Sequence, residues 1–244
     1  MIVYGRNPVR EALRGRRAGQ VGEVWATAGA AREPWLDGLP VRVVDAEEVE
    51  RRCGSAAHQG VCAEAGPYRY AHADQLLAGE APLLVALDQV QDPQNLGSIC
   101  RTAECAGAAG VVIPERRAAE VTPAVCKASA GAVEHLLVAR VRNMADFLAD
   151  ARRGGCWCYG ASAPSGRGER SPVAYDAPDY GGAGVVLVLG SEGAGLRPRV
   201  AQACDELIAL PLLGKVDSLG VGAAAAALLY EILQNRRAGL DNAS

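Results

Sequence analysis

Apolar residues in the N-terminal part of the chain come in short bursts between polar segments. Three bursts have the length of β-strands: 21–26, 41–44 and 61–63. Between the second and the third, a helix is possible over Ala46 to Cys53. Ahead of all three, Asn7 and Pro8 match the cap and first position of a helix that ends near Gly15. This pattern predicts a small domain of mixed helices and strands.

A more regular pattern begins beyond the turn-rich segment 66–82. Apolar runs alternate there with helix-compatible stretches, and they cover 83–88, 110–113, 136–141, 156–161, 185–189 and 206–210. Strands that are apolar throughout indicate a parallel sheet covered on both faces. We therefore predict two domains, 1–75 and 76–244, the second a parallel α/β domain. The Ser-, Pro- and Gly-rich segment 161–184 is predicted to be mostly loop, with one edge element at most and little contribution to the core.

Composition narrows the locations and cofactors to consider. No stretch reaches the roughly 18 apolar residues of a membrane helix, and arginines precede any apolar run at the N-terminus. We therefore expect a cytoplasmic protein whose eight cysteines are free thiols. Cys156 and Cys158 lack a second cysteine pair at ligand spacing, so we expect buried strand cysteines and no metal site.

The charge pattern leaves two interpretations open. A formal net charge of −3 does not favour a protein that coats nucleic acid, because phosphate neutralisation drives nonspecific binding. A local basic face is nevertheless available, since the first twenty residues hold one acid, Glu11, and five arginines: Arg6, Arg10, Arg14, Arg16 and Arg17. This face either binds RNA or is a solvated helix surface.

Segment 87–103 is the first of three that place polar residues or glycines at a strand end. Asp92-Pro93 makes a turn, Asn95 can cap the following helix, and Arg101 lies about two turns into it. A cation near a helix N-terminus is mildly unfavourable without an anionic partner, which an RNA phosphate or Glu192 could supply. We therefore favour a functional role for Arg101 over a solvent-exposed helix residue.

The other two segments are 186–197 and 210–222. The first is a buried strand followed by three glycines around Glu192, and such glycines let a ligand approach the backbone. Their spacing differs from the dinucleotide fingerprint and from a phosphate loop, which disfavours a nucleotide-dependent oxidoreductase. The second runs into an alanine-rich helix, with Ser218 as a plausible N-cap.

Together the segments resemble the signature motifs of the SpoU family, within the SPOUT superfamily of methyltransferases. They match Asn-x-Gly-x-x-x-Arg-Thr-Ala from Asn95, Gly-Ser-Glu-Gly-x-Gly-Leu-Arg from Gly190, and Leu-Pro-x-x-Gly-x-x-x-Ser-Leu from Leu210. Residues 4–9 and 58–61 resemble parts of the substrate-binding domain of ribosomal RNA guanosine methyltransferases. The resemblance thus covers nearly the whole chain.

This resemblance implies a fold, a reaction and a set of site residues. The fold is a parallel sheet with a deep trefoil knot, in a homodimer that binds S-adenosyl-L-methionine without a metal. The reaction is methyl transfer to a ribose 2'-hydroxyl of RNA, with a guanosine of 23S-type ribosomal RNA favoured and transfer RNA as the alternative. The catalytic residues implied are Asn95, Arg101, Glu192 and Ser218. The cofactor-binding residues implied are Leu189, Gly190, Gly193, Leu210 and Leu219.

The sequence departs from the family pattern at two positions. Gly220 stands where the family usually has asparagine, and Gly222 where serine is common. Because both positions are expected beside the cofactor and the reacting hydroxyl, an RNA-binding scaffold without turnover is a rival interpretation. The presence of all four implied catalytic residues favours the enzyme.

Overall fold

A four-stranded sheet occupies the N-terminal part of the computed structural model, which describes residues 1–163, 170–216 and 218–241, with the backbone alone for 239–241. Its strands are β1 (Ile2–Tyr4), β2 (Val21–Ala26), β3 (Val41–Val43) and β4 (Val61–Ala65), in the order β1-β4-β2-β3. Helix α1 (Arg6–Arg14) packs on one face through Val9, and α2 (Ala46–Cys53) packs on the other through Val49. The predicted mixture of helices and strands in this part of the chain is confirmed. β1 is not among the predicted strands; it is formed by pairing with β4, in which Ile2 lies opposite the distant Glu64.

The start of α1 differs from the prediction. The helix begins at Arg6, and Gly5 with φ 95° precedes it, so Asn7 is not its cap. The side-chain oxygen Oε1 of Gln59 accepts the backbone N–H of Arg6 at 3.1 Å. A residue 53 positions away therefore satisfies the helix N-terminus, which no local pattern can reveal.

The second sheet is parallel throughout, as the continuous apolar runs predict. Its strands are β5 (Leu83–Asp88), β6 (Gly110–Pro114), β7 (Leu137–Val141), β8 (Cys156–Ala161), β9 (Val173–Ala174), β10 (Gly184–Gly190) and β11 (Glu206–Ala209). They lie in the order β7-β6-β5-β10-β8-β11-β9, and every neighbouring pair is parallel.

Helices cover both faces of this sheet. They are α3 (Ala73–Leu77), α4 (Pro93–Cys105), α5 (Pro123–Ala128), α6 (Met144–Arg153), α7 (Pro198–Ala203) and α8 (Val221–Asp241). One core contains apolar residues of α4, α5 and α8, and the other those of α3, α6 and α7. α8 packs against α4, which is consistent with the knotted arrangement that the resemblance implies.

The two sheets share one core. Val3 and Val9 of the first part lie in the same buried cluster as Ile99, Val125 and Val133 of the second. The division into 1–75 and 76–244 remains a prediction, and residue 75 lies inside α3, which packs against β7. The interdomain seam, where Val3 and Val9 meet Ile99, Val125 and Val133, is therefore a packed surface and not an open linker.

The segment after β8 contributes more to the core than its composition suggests. β9 is the expected edge element, paired with β11, whereas residues 164–169 lie outside the described part of the chain. Tyr180 is only 1% exposed and packs edge-on against Tyr159. Its backbone N–H donates to Oδ1 of Asn235 at 3.0 Å, so α8 holds it in place. The prediction that 161–184 adds little to the core is wrong.

All eight cysteines are free thiols, six of them buried. Cys156 and Cys158 are buried strand residues, as predicted. Burial raises the pKa of Cys100, Cys126 and Cys204 to about 12, so these thiols remain protonated and unreactive. Among the described residues, no helix combines the length and apolar character that crossing a bilayer requires.

Candidate active site

Two neighbouring strand ends form the floor of the candidate site. β5 and β10 are parallel neighbours, with Leu87 opposite Leu189 and Asp88 opposite Gly190. The first and second motif segments therefore leave the sheet side by side at its carboxyl edge, where ligand crevices of open α/β sheets lie. The third segment follows β11 and leads into α8, which packs against α4.

Asp88 and Arg197 join the first two segments. Asp88 is completely buried at the end of β5. Its carboxylate accepts hydrogen bonds from the backbone N–H of Arg197 at 2.9 Å and from Nε at 2.8 Å. A buried carboxylate requires such partners, so this contact fastens the loop after β10 above the end of β5. Neither residue is among those predicted for the site, although a lone acid in an apolar strand is a usable signal.

The loop after β10 is a tight turn built on glycine. Ser191 and Gly195 exchange backbone hydrogen bonds of 3.2 and 2.9 Å. Gly193 and Gly195 have φ values of 79° and 68°, in the left-handed region that favours glycine. A Cβ on Gly190 would clash with the backbone of Gly195 and Leu196. Glycine at 190 therefore lets the turn fold back onto the strand end.

Asn95 and Glu192 bring the first two motifs into direct contact. Nδ2 of Asn95 donates a hydrogen bond to Oε1 of Glu192 at 3.0 Å. The prediction that Asn95 caps α4 is wrong, because the cap is Asp92, whose carboxylate accepts the N–H of Gln94 at 3.0 Å. The amide of Asn95 is thereby left available for Glu192.

The first turn of α8 meets the same pair. A Cβ built on Gly222 would lie 3.4 Å from Oγ of Ser98 and 3.7 Å from Oδ1 of Asn95. A Cβ built on Gly220 would lie 3.7 Å from Oε1 of Glu192. The three motif segments, which lie far apart in the sequence, therefore converge at one point. Sequence reasoning gave Ser98 no role, and its position appears only in the folded chain.

Ser218 does not have the predicted place at the start of α8. The helix begins at Val221, three residues later, so the N-cap prediction for Ser218 is wrong. The carbonyl of Gly220 instead accepts the N–H of Ala224 at 3.1 Å. Ser218 is exposed and forms no hydrogen bond with a residue of the described chain.

Arg101 lies about two turns into α4, as predicted, and it is exposed. It lies three positions beyond Ser98, on the same side of the helix. Its guanidinium makes no hydrogen bond or ion pair with any residue that the structure describes. The suggested pairing with Glu192 is absent, since Asn95 bonds that carboxylate instead. Arg101 is therefore a cation that an anionic ligand can approach.

The residues predicted to hold a cofactor differ in exposure. Leu189 is buried in β10, and Leu210 is partly buried against the core. Gly190 is half-buried, Gly193 is exposed, and the side chain of Leu219 is 52% exposed. Within the described residues, no three His, Cys, Asp or Glu side chains are grouped as metal ligands.

Two family models match the chain, each over a different part of it. Residues 82–230 match the model of the SpoU rRNA Methylase family. The chain belongs to this family. As a SpoU family member it is an RNA methyltransferase, and its residues 2–71 match a second family model, described as RNA 2'-O ribose methyltransferase substrate binding.

Relatives of this SpoU chain are similar over its whole length. A protein of Bacillus subtilis (strain 168), named as a TrmH family tRNA/rRNA methyltransferase, YacO, is 37% identical over 247 residues, 96% of this chain and 95% of the relative. A TrmH family protein of Staphylococcus haemolyticus (strain JCSC1435) is 34% identical over 256 residues, 100% of this chain and 99% of the relative.

Solved structures show the same fold. An AdoMet-bound rRNA methyltransferase from Sinorhizobium meliloti has a TM-score of 0.75 and 28% identity, with 96% of the SpoU chain and 86% of that protein covered. The SpoU methyltransferase AviRb from Streptomyces viridochromogenes, in complex with AdoMet, has a TM-score of 0.76 and 24% identity, covering 96% and 89%. The second likeness concerns the fold alone.

Proposed function

We propose that this chain transfers a methyl group from S-adenosyl-L-methionine to the ribose 2'-hydroxyl of a guanosine in 23S-type ribosomal RNA. The observation that carries the proposal is the convergence of Asn95, Glu192 and residues 220–222 at α4, the helix that also carries Arg101. The match of residues 2–71 to a 2'-O ribose substrate-binding model supports the ribose as target. The cofactor bound by the Sinorhizobium meliloti protein supports S-adenosyl-L-methionine.

The glycine turn after β10 suits a cofactor held largely by backbone groups. Positions 193 and 195 have open space where a side chain would stand, so a ligand can approach the peptide groups there. We assign cofactor binding to Leu189, Gly190, Gly193, Leu210 and Leu219. When bound, S-adenosyl-L-methionine would supply a methyl group on a positively charged sulfur; the ribose oxygen would take the methyl, the C–S electron pair would pass to sulfur, and the hydroxyl proton would pass to water.

Gly190→Ala is expected to weaken S-adenosyl-L-methionine binding about 5- to 150-fold. The added methyl group would press on backbone atoms of Gly195 and Leu196, and overpacking of this kind costs about 1–3 kcal/mol. Titration calorimetry with the cofactor measures the change. Gly29→Ala is the matched control, because Gly29 has helical φ and ψ of −72° and −44° and nothing within 4 Å of its added Cβ. If the two variants bound the cofactor with equal affinity, the proposed cofactor site at the glycine turn would be contradicted.

The side chains of the chain have separate tasks in this proposal. A guanidinium stays protonated and is a poor base, so Arg101 stabilises the developing alkoxide and holds a neighbouring phosphate. The hydrogen bond between Asn95 and Glu192 fixes both groups at the point where the segments meet. We propose Ser218 as the fourth catalytic residue because it matches the serine of the third family motif.

The two departures from the family pattern are compatible with an active site. Gly220 has φ 74°, a conformation that asparagine also tolerates, so the backbone there is one that the usual residue can adopt. The hydroxyl of Ser98 lies beside Gly222, where it can take the place of a serine hydroxyl from α8. A lost amide costs about 0.5–1.5 kcal/mol, which slows a reaction without abolishing it.

We further propose a cytoplasmic homodimer. Apolar side chains are exposed on the loop before α8 and on α8 itself: Leu213 by 97%, Val216 by 72%, Leu219 by 52% and Tyr230 by 51%. A second copy of the chain would cover such a surface, since contiguous apolar patches usually mark interfaces.

Transfer of tritium from labelled S-adenosyl-L-methionine tests the reaction. The purified chain is incubated with unmodified 23S-type ribosomal RNA transcript and, separately, with transfer RNA, and the RNA is then digested to nucleosides. We expect label in 2'-O-methylguanosine from the ribosomal transcript.

Other outcomes would replace parts of the proposal. Label in transfer RNA alone would make transfer RNA the substrate, and label on a base would overturn ribose methylation. Binding of cofactor and RNA without transfer to either RNA would favour the scaffold interpretation and place Gly220 at its centre.

A further inference from the structure

A small pocket of about 190 Å³ opens on the interdomain seam, away from the glycine turn. Its walls come from both parts of the chain: Arg16, Arg17 and Gln20 on one side, Tyr68 and Arg69 from the connecting segment, and Glu134 from the other. Pockets at domain interfaces are common ligand sites. Nothing in the reaction proposed above uses these residues.

The floor of the pocket is electrically neutral. Arg17 is 3% exposed and Glu134 is 1% exposed, and they form a buried ion pair in which Nε of Arg17 donates to Oε2 of Glu134 at 2.9 Å. Nη1 of Arg17 also donates to the carbonyl of Gly66 at 2.9 Å. Arg17 is therefore fully engaged by the protein and is not available to a ligand.

The rim of the pocket is positive. Arg6 pairs with Glu33 and Arg10 with Glu11, whereas Arg16 has no ion-pair partner among the described residues. Arg69, which also lines the pocket, is likewise exposed and unpaired within the described chain. The pocket thus carries two free guanidinium groups on a protein whose net charge is −3.

The residues that line the pocket suit a phosphate group better than a nucleobase. One face of the Tyr68 ring has the guanidinium carbon of Arg17 at 5.5 Å from its centroid, and the rings of Tyr68 and Tyr70 form a T-shaped pair with 5.2 Å between centroids. The hydroxyl of Tyr68 donates to the carbonyl of Val133 at 3.1 Å. Burial raises the pKa of Tyr68, so the phenol stays neutral and does not repel an anion. The volume lies below the roughly 300 Å³ at which pockets for whole small molecules begin.

We propose that this seam pocket binds a phosphodiester of the RNA substrate between Arg16 and Arg69. The guanidinium fork matches phosphate oxygens, and contacts of this kind set the register of a nucleic acid on a protein. The turn at 132–134, which forms one wall, packs against α4, the helix that carries Arg101. A phosphate held here would therefore position the RNA relative to both parts of the chain. The proposal rests on the function proposed above.

The test compares two double variants of the full-length chain. Arg16→Ala with Arg69→Ala removes the pocket cations. Arg42→Ala with Arg51→Ala removes the same charge from the edge strand β3 and from α2, where both arginines are exposed and already paired with glutamates. RNA affinity is measured by fluorescence anisotropy over a series of KCl concentrations, and cofactor affinity is measured by calorimetry. Thermal unfolding checks that both variants are folded.

We expect the pocket variant to bind RNA roughly tenfold more weakly, with unchanged cofactor affinity. The slope of log affinity against log salt should fall by about 0.7–0.9 for each lost phosphate contact. Equal RNA affinity and slope in the two double variants, with methyl transfer by the wild type intact, would overturn the pocket and leave the proposed function standing. If the wild type bound no RNA, both the pocket proposal and the proposed function would be overturned.

A separate titration distinguishes a site for RNA from a site for free anions. Inorganic phosphate is titrated into the wild type and the pocket variant by calorimetry. Phosphate binding that is lost in the pocket variant, while RNA affinity is unchanged, would show a small-anion site and overturn the RNA assignment.

Discussion

Replacing Arg101 with alanine is expected to lower the rate of methyl transfer about 100- to 1,000-fold at saturating RNA and cofactor. This is the usual effect of removing one group that stabilises an oxyanion in the transition state. Cofactor affinity should not change, because the exposed guanidinium bonds no described residue of the glycine turn. Single-turnover methyl transfer and cofactor titration measure the two quantities.

Two further variants show what Arg101 does. Arg101→Lys keeps the charge but loses the planar fork, so its rate should lie between those of the wild type and the alanine variant. Glu104→Ala removes another exposed side chain of α4 and should leave the rate nearly unchanged. A rate for Arg101→Ala close to that of the wild type would exclude Arg101 from the reaction.

Replacing Glu134 with glutamine is expected to lower the free energy of unfolding by about 3–5 kcal/mol. The change leaves the charge of Arg17 buried without its counter-ion, in a pair whose side chains are 4% and 0% exposed. Burial lowers the pKa of Arg17, but the hydrogen bond and charge of Glu134 outweigh it and hold that pKa above its usual value. Arg17 therefore stays charged in the folded wild type. Denaturant unfolding measures the loss.

The exposed ion pair of Glu23 and Arg42 provides a control for the buried pair of Glu134 and Arg17. Glu23→Gln removes an exposed carboxylate from Arg42 and should change the unfolding free energy by less than about 1 kcal/mol. The double change Arg17→Met with Glu134→Leu should recover much of the loss, because apolar residues often replace a buried ion pair at little cost. A small effect of Glu134→Gln would show that water reaches the seam.

Much of the second domain could be predicted because its signals are local. Residues 83–88 and 156–161 are apolar throughout, and that property of a few consecutive residues identifies strands of a covered parallel sheet. Asn95, Arg101 and Glu192 were found because their spacing within short segments matches a family pattern. Such signals need no knowledge of what lies across the fold.

The site itself depends on contacts between distant segments. The bond of Asn95 to Glu192 spans 97 positions, and that of Asp88 to Arg197 spans 109. From charge alone, the sequence offers Glu192 or an RNA phosphate as the partner of Arg101. The structure places the amide of Asn95 beside the carboxylate instead, since α4 is capped by Asp92 and α8 packs alongside it.

By itself, the sequence determined most of the strands, the parallel sheet and the positions of three motifs, because apolar runs and glycine turns act over a few neighbouring residues. Only the tertiary structure decided that Gln59 satisfies the start of α1 and that Tyr180 is buried. It also decided that Arg17 is not part of an exposed basic face, because its side chain is buried in an ion pair with Glu134, 117 positions away. Each of these outcomes is set by which groups meet after folding, and burial makes an unmatched charge or hydrogen bond costly only there.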